Sequence, residues 1–193
     1  MNDLFKFPQI FEFPPFFSKQ INERTWNAQL EYWDKLILDY CSHYRIWTLD
    51  INEEVTKGGQ ALFSNPRIDR ALKKEIIQEV FEYMVDQGHA EWASIGGNDR
   101  RQDEFKGKTT VLIYFKRPEE WANLISKYID STGQNGTVVT MYELAEGELV
   151  QTEEFFEISP LILRKALDVL VSRKKAIVMK SANGKEIDGV KML

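Results

Sequence analysis

The stretch KKEIIQEVFEYMVDQG, residues 73–88, sets Ile76, Ile77, Val80, Phe81, Met84 and Val85 at three- and four-residue steps. That spacing lines one face of a helix with apolar side chains. Gly88 supplies the stop, because glycine enters the left-handed backbone region without a Cβ penalty. The pattern returns in SPLILRKALDVLVSRK, residues 159–174. Laid on the first stretch, Ile162, Leu163, Ala166, Leu167, Leu170 and Val171 fill the six apolar positions. Ser159 is the expected cap there, with Pro160 in the first turn.

Upstream of each member lies another amphipathic helix. TWNAQLEYWDKLILDYCSHY (25–44) carries Trp26, Leu30, Trp33, Ile37 and Tyr40 on one face, with Asn22 or Thr25 as cap. KRPEEW (116–121) opens its counterpart, which continues to Gly133. Pro118 suits a first helical position, and Glu119 and Glu120 favour the positive end of the helix dipole. Trp33, Leu36, Ile37 and Tyr40 match Trp121, Leu124, Ile125 and Tyr128.

Downstream of each member come strand-like runs. HAEWASI and TTVLIYF flank the polar GGNDRRQDEFKGK, and AIVMK and GVKML flank SANGKEID. RIWTLDI (45–51) alternates like a short strand, and GTVVTMYELAEGE holds a strand and a short helix. TKGG (56–59) reads as a turn or mobile loop, and LFSNPRIDRAL as a short helix starting near Pro66. Each half therefore reads helix, strand, short helix, long helix, strand, wing, strand. This is the winged-helix order, a helix-turn-helix relative with a β-hairpin wing. Amphipathic periodicity alone would give part of the match, but two long helices each followed by a hairpin favour a repeat. The expected fold is α+β, two tandem winged-helix domains spanning 1–117 and 118–193.

The 193 residues are 43% hydrophobic and 12% aromatic, ample for packed cores, with a net charge of −5. An acidic balance argues against non-specific nucleic-acid binding. Cys41 is the sole cysteine, which rules out an internal disulfide and fits a reducing compartment. No apolar run reaches a membrane span, and Lys6, Glu12 and three early prolines break any signal-peptide pattern. NGT at 135–137 is read as a chance glycosylation sequon.

Chemistry is sparse. His43 and His89 have no second histidine or cysteine at metal-ligand spacing, so no metal or cofactor is expected. There is no G-x-S-x-G elbow and no phosphate-binding glycine loop, so no enzyme is expected. The alternative reading is a DNA-binding winged-helix regulator. The second recognition-type helix does carry Arg164, Lys165, Arg173, Lys174 and Lys175. Yet Glu143 to Glu157 holds six glutamates and no basic residue, and Glu75, Glu79 and Glu82 oppose Lys73 and Lys74 in the first half. Neither half presents a clean face for phosphate.

The N-terminal FKFPQIFEFPPFF gathers Phe5, Phe7, Phe11, Phe13, Phe16 and Phe17, half of the twelve phenylalanines, around Pro8, Pro14 and Pro15. Prolines keep such a run out of long helices and central strands. The rings have two destinations, their own core or a partner's pocket, and the residues alone leave both open.

Eight segments in order, FPPFF (13–17), QLEYWDKLILDYC (29–41), LFSN (62–65), GHAEW (88–92), RPEEW (117–121), TGQNGTVVTMYEL (132–144), EEFFEI (153–158) and DGVKML (188–193), resemble the small-subunit family of the ESCRT-II endosomal sorting complex. The wing and the NGKEIDG tip look longer than the family's usual form. The resemblance implies two winged helices in tandem, no catalysis, and two copies of the chain per complex with two larger winged-helix subunits. It implies that a Pro-Pro-x-Phe motif, here Pro14, Pro15, Phe16 and Phe17, docks on those subunits. Phe17 is then the expected anchor, with the prolines holding the backbone extended. The C-terminal domain is expected to recruit the ESCRT-III subunit that initiates assembly. Glu153 and Glu154 on the acidic segment would meet a basic helix. The implied setting is cytoplasmic, with indirect recruitment to the endosomal membrane.

Overall fold

Asn22, rather than Thr25, caps the first long helix, its side-chain oxygen accepting the Thr25 N–H at 3.1 Å. Helix α1 runs Glu23–Tyr44, and Arg45 ends it in the left-handed region at φ 52°. A computed structural model describes residues 4–93, 109–180 and 187–193. The chain divides into two compact units, Met1–Phe115 and Lys116–Leu193, against the expected break after residue 117. Among the described residues no helix is long and apolar enough to cross a membrane.

In the first unit, α1 leads into β1 (Thr48–Asp50). Two small hairpins follow, β2 (Thr56–Lys57) with β3 (Gln60–Ala61), and β4 (Ser64–Asn65) with β5 (Arg70–Ala71). Then come α2 (Lys74–Asp86), β6 (Ala90–Trp92) and β7 (Thr110–Ile113). The sheet order is β1-β7-β6, antiparallel throughout, with Leu49 opposite Val111 and Glu91 opposite Leu112. Gly88, at φ 71°, follows the end of α2 as expected.

The second unit repeats the plan. Helix α3 (Pro118–Thr132) begins on its proline and ends at Gly133, φ 68°. Next come β8 (Val138–Thr140), α4 (Met141–Glu146), α5 (Pro160–Ser172), β9 (Ala176–Lys180) and β10 (Ile187–Met192). The order β8-β10-β9 mirrors the first sheet. In each unit the strand that follows the first helix pairs with the last strand, which also pairs with the strand after the second long helix. The fold is α+β, two winged helices in tandem.

Two local readings change, at Pro66 and at Ser159. The turn expected in TKGG is present, its Gly58 and Gly59 at φ 58° and 77° joining β2 to β3. Both central residues of this tight hairpin turn need positive φ, which glycine provides. The helix expected at Pro66 is instead the β4–β5 hairpin. Asn65 Oδ1 accepts the Arg67 N–H at 3.0 Å and Asp69 turns at φ 52°, so the chain folds back before a helical turn can propagate. Ser159 stands at the start of α5 without a side-chain capping bond. The tip 96–108 and residues 181–186 of SANGKEID lie outside the described residues.

Each unit has its own core. Trp33, Ile37, Tyr40, Leu62, Val80, Phe81 and Met84 are fully enclosed in the first, and Trp121, Ile125, Leu144, Phe155, Ile162 and Leu167 in the second. Gly147 lets the chain double back on α4, since a Cβ there would lie 2.5 Å from the Glu143 carbonyl oxygen. Cys41 is buried without exposure, and that burial pushes its thiol pKa up.

Candidate partner-docking site

The N-terminal arm forms two single 3-10 turns, Gln9–Glu12 and Pro14–Phe17, joined at Phe13. The expected extended proline backbone is absent, because proline's fixed φ also fits the start of a helical turn. Phe11 and Phe13 N–H groups close the first turn on Pro8 and Ile10 carbonyls at 2.9 and 3.0 Å. Phe16 N–H closes the second on Phe13 at 2.9 Å.

Helix α1 and the β4–β5 hairpin hold this arm by its backbone. Trp33 Nε1 donates to the Phe16 carbonyl at 3.1 Å, and buried Gln29 donates to the same oxygen. Gln29 also reaches the Ser18 carbonyl at 3.1 Å. Buried Asn65 donates to the Phe11 carbonyl at 2.8 Å. Further upstream, Tyr44 Oη accepts the Phe5 N–H at 3.2 Å and Gln60 donates to the Phe5 carbonyl at 2.9 Å.

The rings divide along the turns. Phe16 stacks on Trp33 with centroids 4.3 Å apart and 5° between planes. Phe17 meets Trp33 edge-on at 5.6 Å and Phe11 at 5.2 Å. Phe16 and Phe17 are 2% and 3% exposed, so in this chain neither ring is at the surface where an anchor was expected. Phe5 and Phe7 are half-buried on the same core, with Phe7 stacked on Phe11 at 4.0 Å. Phe13 alone among the six points out, 57% exposed, with Pro14 exposed and Pro15 half-buried beside it.

A cleft of about 390 Å³ opens between the arm and α1, lined by Ile10, Phe13, Pro15, Gln20, Ala28 and Tyr32. Tyr32 is 54% exposed and also lines a second cleft with Leu4, Pro8 and Leu36. The two clefts share Tyr32, and the second also carries Lys6, Lys35, Asp39 and His43; their apolar parts are chemically suited to receive a partner's apolar side chains.

The other expected residues lie in the second unit. Glu154 pairs with Lys116, while Glu153 is half-buried beside fully enclosed Phe155. Of the basic residues around α5, Arg173 donates to Asn123 Oδ1 at 2.6 Å and Lys175 to Ser126 Oγ at 3.3 Å. A pairing missed in the sequence joins Asp34 of α1 to His89 Nδ1 at 2.8 Å. Burial raises the Asp34 pKa, and the hydrogen bond and charge of His89 oppose the rise. The pair ties α1 to the start of β6, and no local pattern in either segment announces it.

A family model described as ESCRT-II complex subunit matches residues 10–159. The chain is 36% identical over 183 residues to vacuolar protein-sorting-associated protein 25 of Danio rerio, covering 95% of this chain and 97% of the relative. Against the protein of the same name from Dictyostelium discoideum, identity is 35%, with 90% of each covered. The crystal structure of subunit VPS25 of the endosomal trafficking complex ESCRT-II matches with a TM-score of 0.82 at 26% identity, covering 100% of both chains. A chain in the crystal structure of the ESCRT-II complex of VPS22, VPS25 and VPS36 matches at 0.79 and 28% identity, covering 96% of this chain and 98% of that one. Sequence, coverage and fold agree, and the chain belongs to the vacuolar protein-sorting-associated protein 25 family of ESCRT-II subunits.

Proposed function

We propose that this chain is a non-catalytic adaptor of ESCRT-II, bridging the larger subunits to ESCRT-III during sorting of ubiquitinated cargo into multivesicular endosomes. The observation that carries the reading is the near full-length match to a chain in the VPS22/VPS25/VPS36 assembly. The N-terminal unit docks on the larger subunits, the counterparts of VPS22 and VPS36. Two copies per complex would make ESCRT-III recruitment bivalent, raising avidity without new contacts. The protein works in the cytoplasm and reaches the endosomal membrane through its partners.

The docking surface is the Pro14–Pro15 turn with Phe13 and Tyr32 at its lip. Phe16 and Phe17 serve it from beneath by fixing the turn on Trp33. A pre-formed turn loses little conformational entropy on docking. Phe13→Glu is expected to weaken association with the larger subunits by about 2 kcal/mol or more, roughly thirtyfold, at an unchanged melting temperature. Co-purification with mass by light scattering reads the result. Equal association of wild type and variant moves docking away from this lip. Failure of the wild type to associate overturns the adaptor reading.

The second unit offers the ESCRT-III contact. Its acidic 143–157 segment, with Glu153 and Glu154, complements a basic helix and would steer the encounter. Reversing both charges to lysine is expected to slow association and flatten its salt dependence, measured by surface binding to the initiating ESCRT-III subunit. Unchanged kinetics would remove the two glutamates from the contact.

A further inference from the structure

The exposed face of α5 carries Leu161, Arg164, Asp168 and Val171. Steps of three, four and three residues place them in one line along the helix. Leu161 and Val171 are 56% and 38% exposed, at either end of this line on a helix whose opposite face is fully packed. Arg164 and Asp168 are exposed, and among the described residues neither makes an ion pair. The line reads apolar, cation, anion, apolar.

Turned end for end, it reads apolar, anion, cation, apolar. Each position is then complementary to the one it meets. We propose that α5 pairs antiparallel with α5 of a second copy of this chain, about a two-fold axis at the level of Ala166. Leu161 packs on Val171 of the second copy, and Arg164 pairs with Asp168 of the second copy. The two-fold repeats both contacts, as an isologous interface requires. The same face is poorly suited to a polyanion, because Asp168 sits at its centre and aliphatic side chains close both ends. One helix pair buries less than the ~1,200 Å² typical of stable interfaces, so the contact is weak and concentration-dependent. It involves none of the N-terminal docking residues.

Sedimentation velocity of the full chain across a concentration range tests the pairing. Wild type is expected to shift from one copy towards two. Arg164→Asp or Asp168→Arg alone should weaken association at least about tenfold, because symmetry places like charges opposite each other twice. The double variant Arg164→Asp/Asp168→Arg restores the complement and should restore association. Association indifferent to the single reversals would mean another face carries it, and the proposal fails. It also fails if wild type stays monomeric at high concentration or if the double variant does not recover. Weaker binding of a different partner by the single variants, with no self-association in wild type, would give this face to that partner.

Register is read separately by oxidation of Leu161→Cys/Val171→Cys. Native Cys41 is buried and alone, so cross-links report the new thiols. Within one chain these thiols lie about 15 Å apart along the helix, too far for a disulfide. The antiparallel arrangement gives a covalent dimer with the double variant and little with Leu161→Cys alone. Equal cross-linking of the single variant would indicate a parallel contact and overturn the pairing.

Discussion

Trp33→Ala is expected to destabilise the first unit by about 3–5 kcal/mol. Trp33 is fully enclosed, stacked on Phe16 and edge-on to Phe17, with Phe11 and Phe63 at 6.4 and 6.1 Å. Truncation empties the centre of that cluster and removes the indole N–H from the Phe16 carbonyl. Gln29 still donates to that oxygen, so the larger part of the loss is cavity rather than an orphaned acceptor. Against a typical stability of about 5–15 kcal/mol the change is severe. In a urea titration the first unit's transition should move to lower denaturant while that of Lys116–Leu193 holds its place. A shift of both transitions together would show that the units unfold as one. Trp33→Phe keeps an aromatic partner for Phe16 and should recover part of the loss.

Phe17→Ala is expected to cost a similar amount, about 3–5 kcal/mol, and to loosen the arm carrying Phe13, Pro14 and Pro15. Both Phe17→Ala and Phe13→Glu should then lose the larger ESCRT-II subunits, for different reasons. A stabilising osmolyte such as trimethylamine N-oxide strengthens apolar burial. It should return binding to Phe17→Ala and leave Phe13→Glu unbound, as read by co-purification and melting in parallel. Loss of binding by Phe17→Ala at an unchanged melting temperature would instead make Phe17 itself the anchor, as the Pro-Pro-x-Phe resemblance implies.

The long helices were legible because apolar side chains at helical spacing have few alternatives. Trp26, Leu30, Trp33, Ile37 and Tyr40 fall on one helical face by spacing alone, and all five are buried. The equivalence of the two halves followed from matching those faces, and both sheets share one strand order. The β2–β3 and β4–β5 hairpins were illegible as strands, since two residues are too few for alternation to show. At Pro66 a sound local rule was overridden from a distance. Asn65 is drawn inward by the Phe11 carbonyl, a partner far away in sequence. The arm was half legible. Its aromatic load announced burial or docking, but only the 3-10 turns decide which rings go in. Those turns place Phe13 outward while Phe16 and Phe17 fall on Trp33. The tie between Asp34 and His89 carries no local signal at all, because nothing in either segment specifies the other.

The shared sheet order also sets the tempo of folding. Thr48 pairs with Leu112, and Val138 with Lys191, so each sheet closes by joining strands far apart in the sequence of its unit. The chain between them must be brought round before these two ladders form, and such non-local closure slows folding. Helices α1 and α3 can form early from local contacts, and β9 can pair locally with β10, but the closing ladders cannot. Each unit should therefore hold its helices before its sheet is complete, with the apolar faces of α1, α2, α3 and α5 open until then. Collapse would be fast and strand registration slow, making the closure of β1 on β7 and of β8 on β10 the pacemaker of both halves.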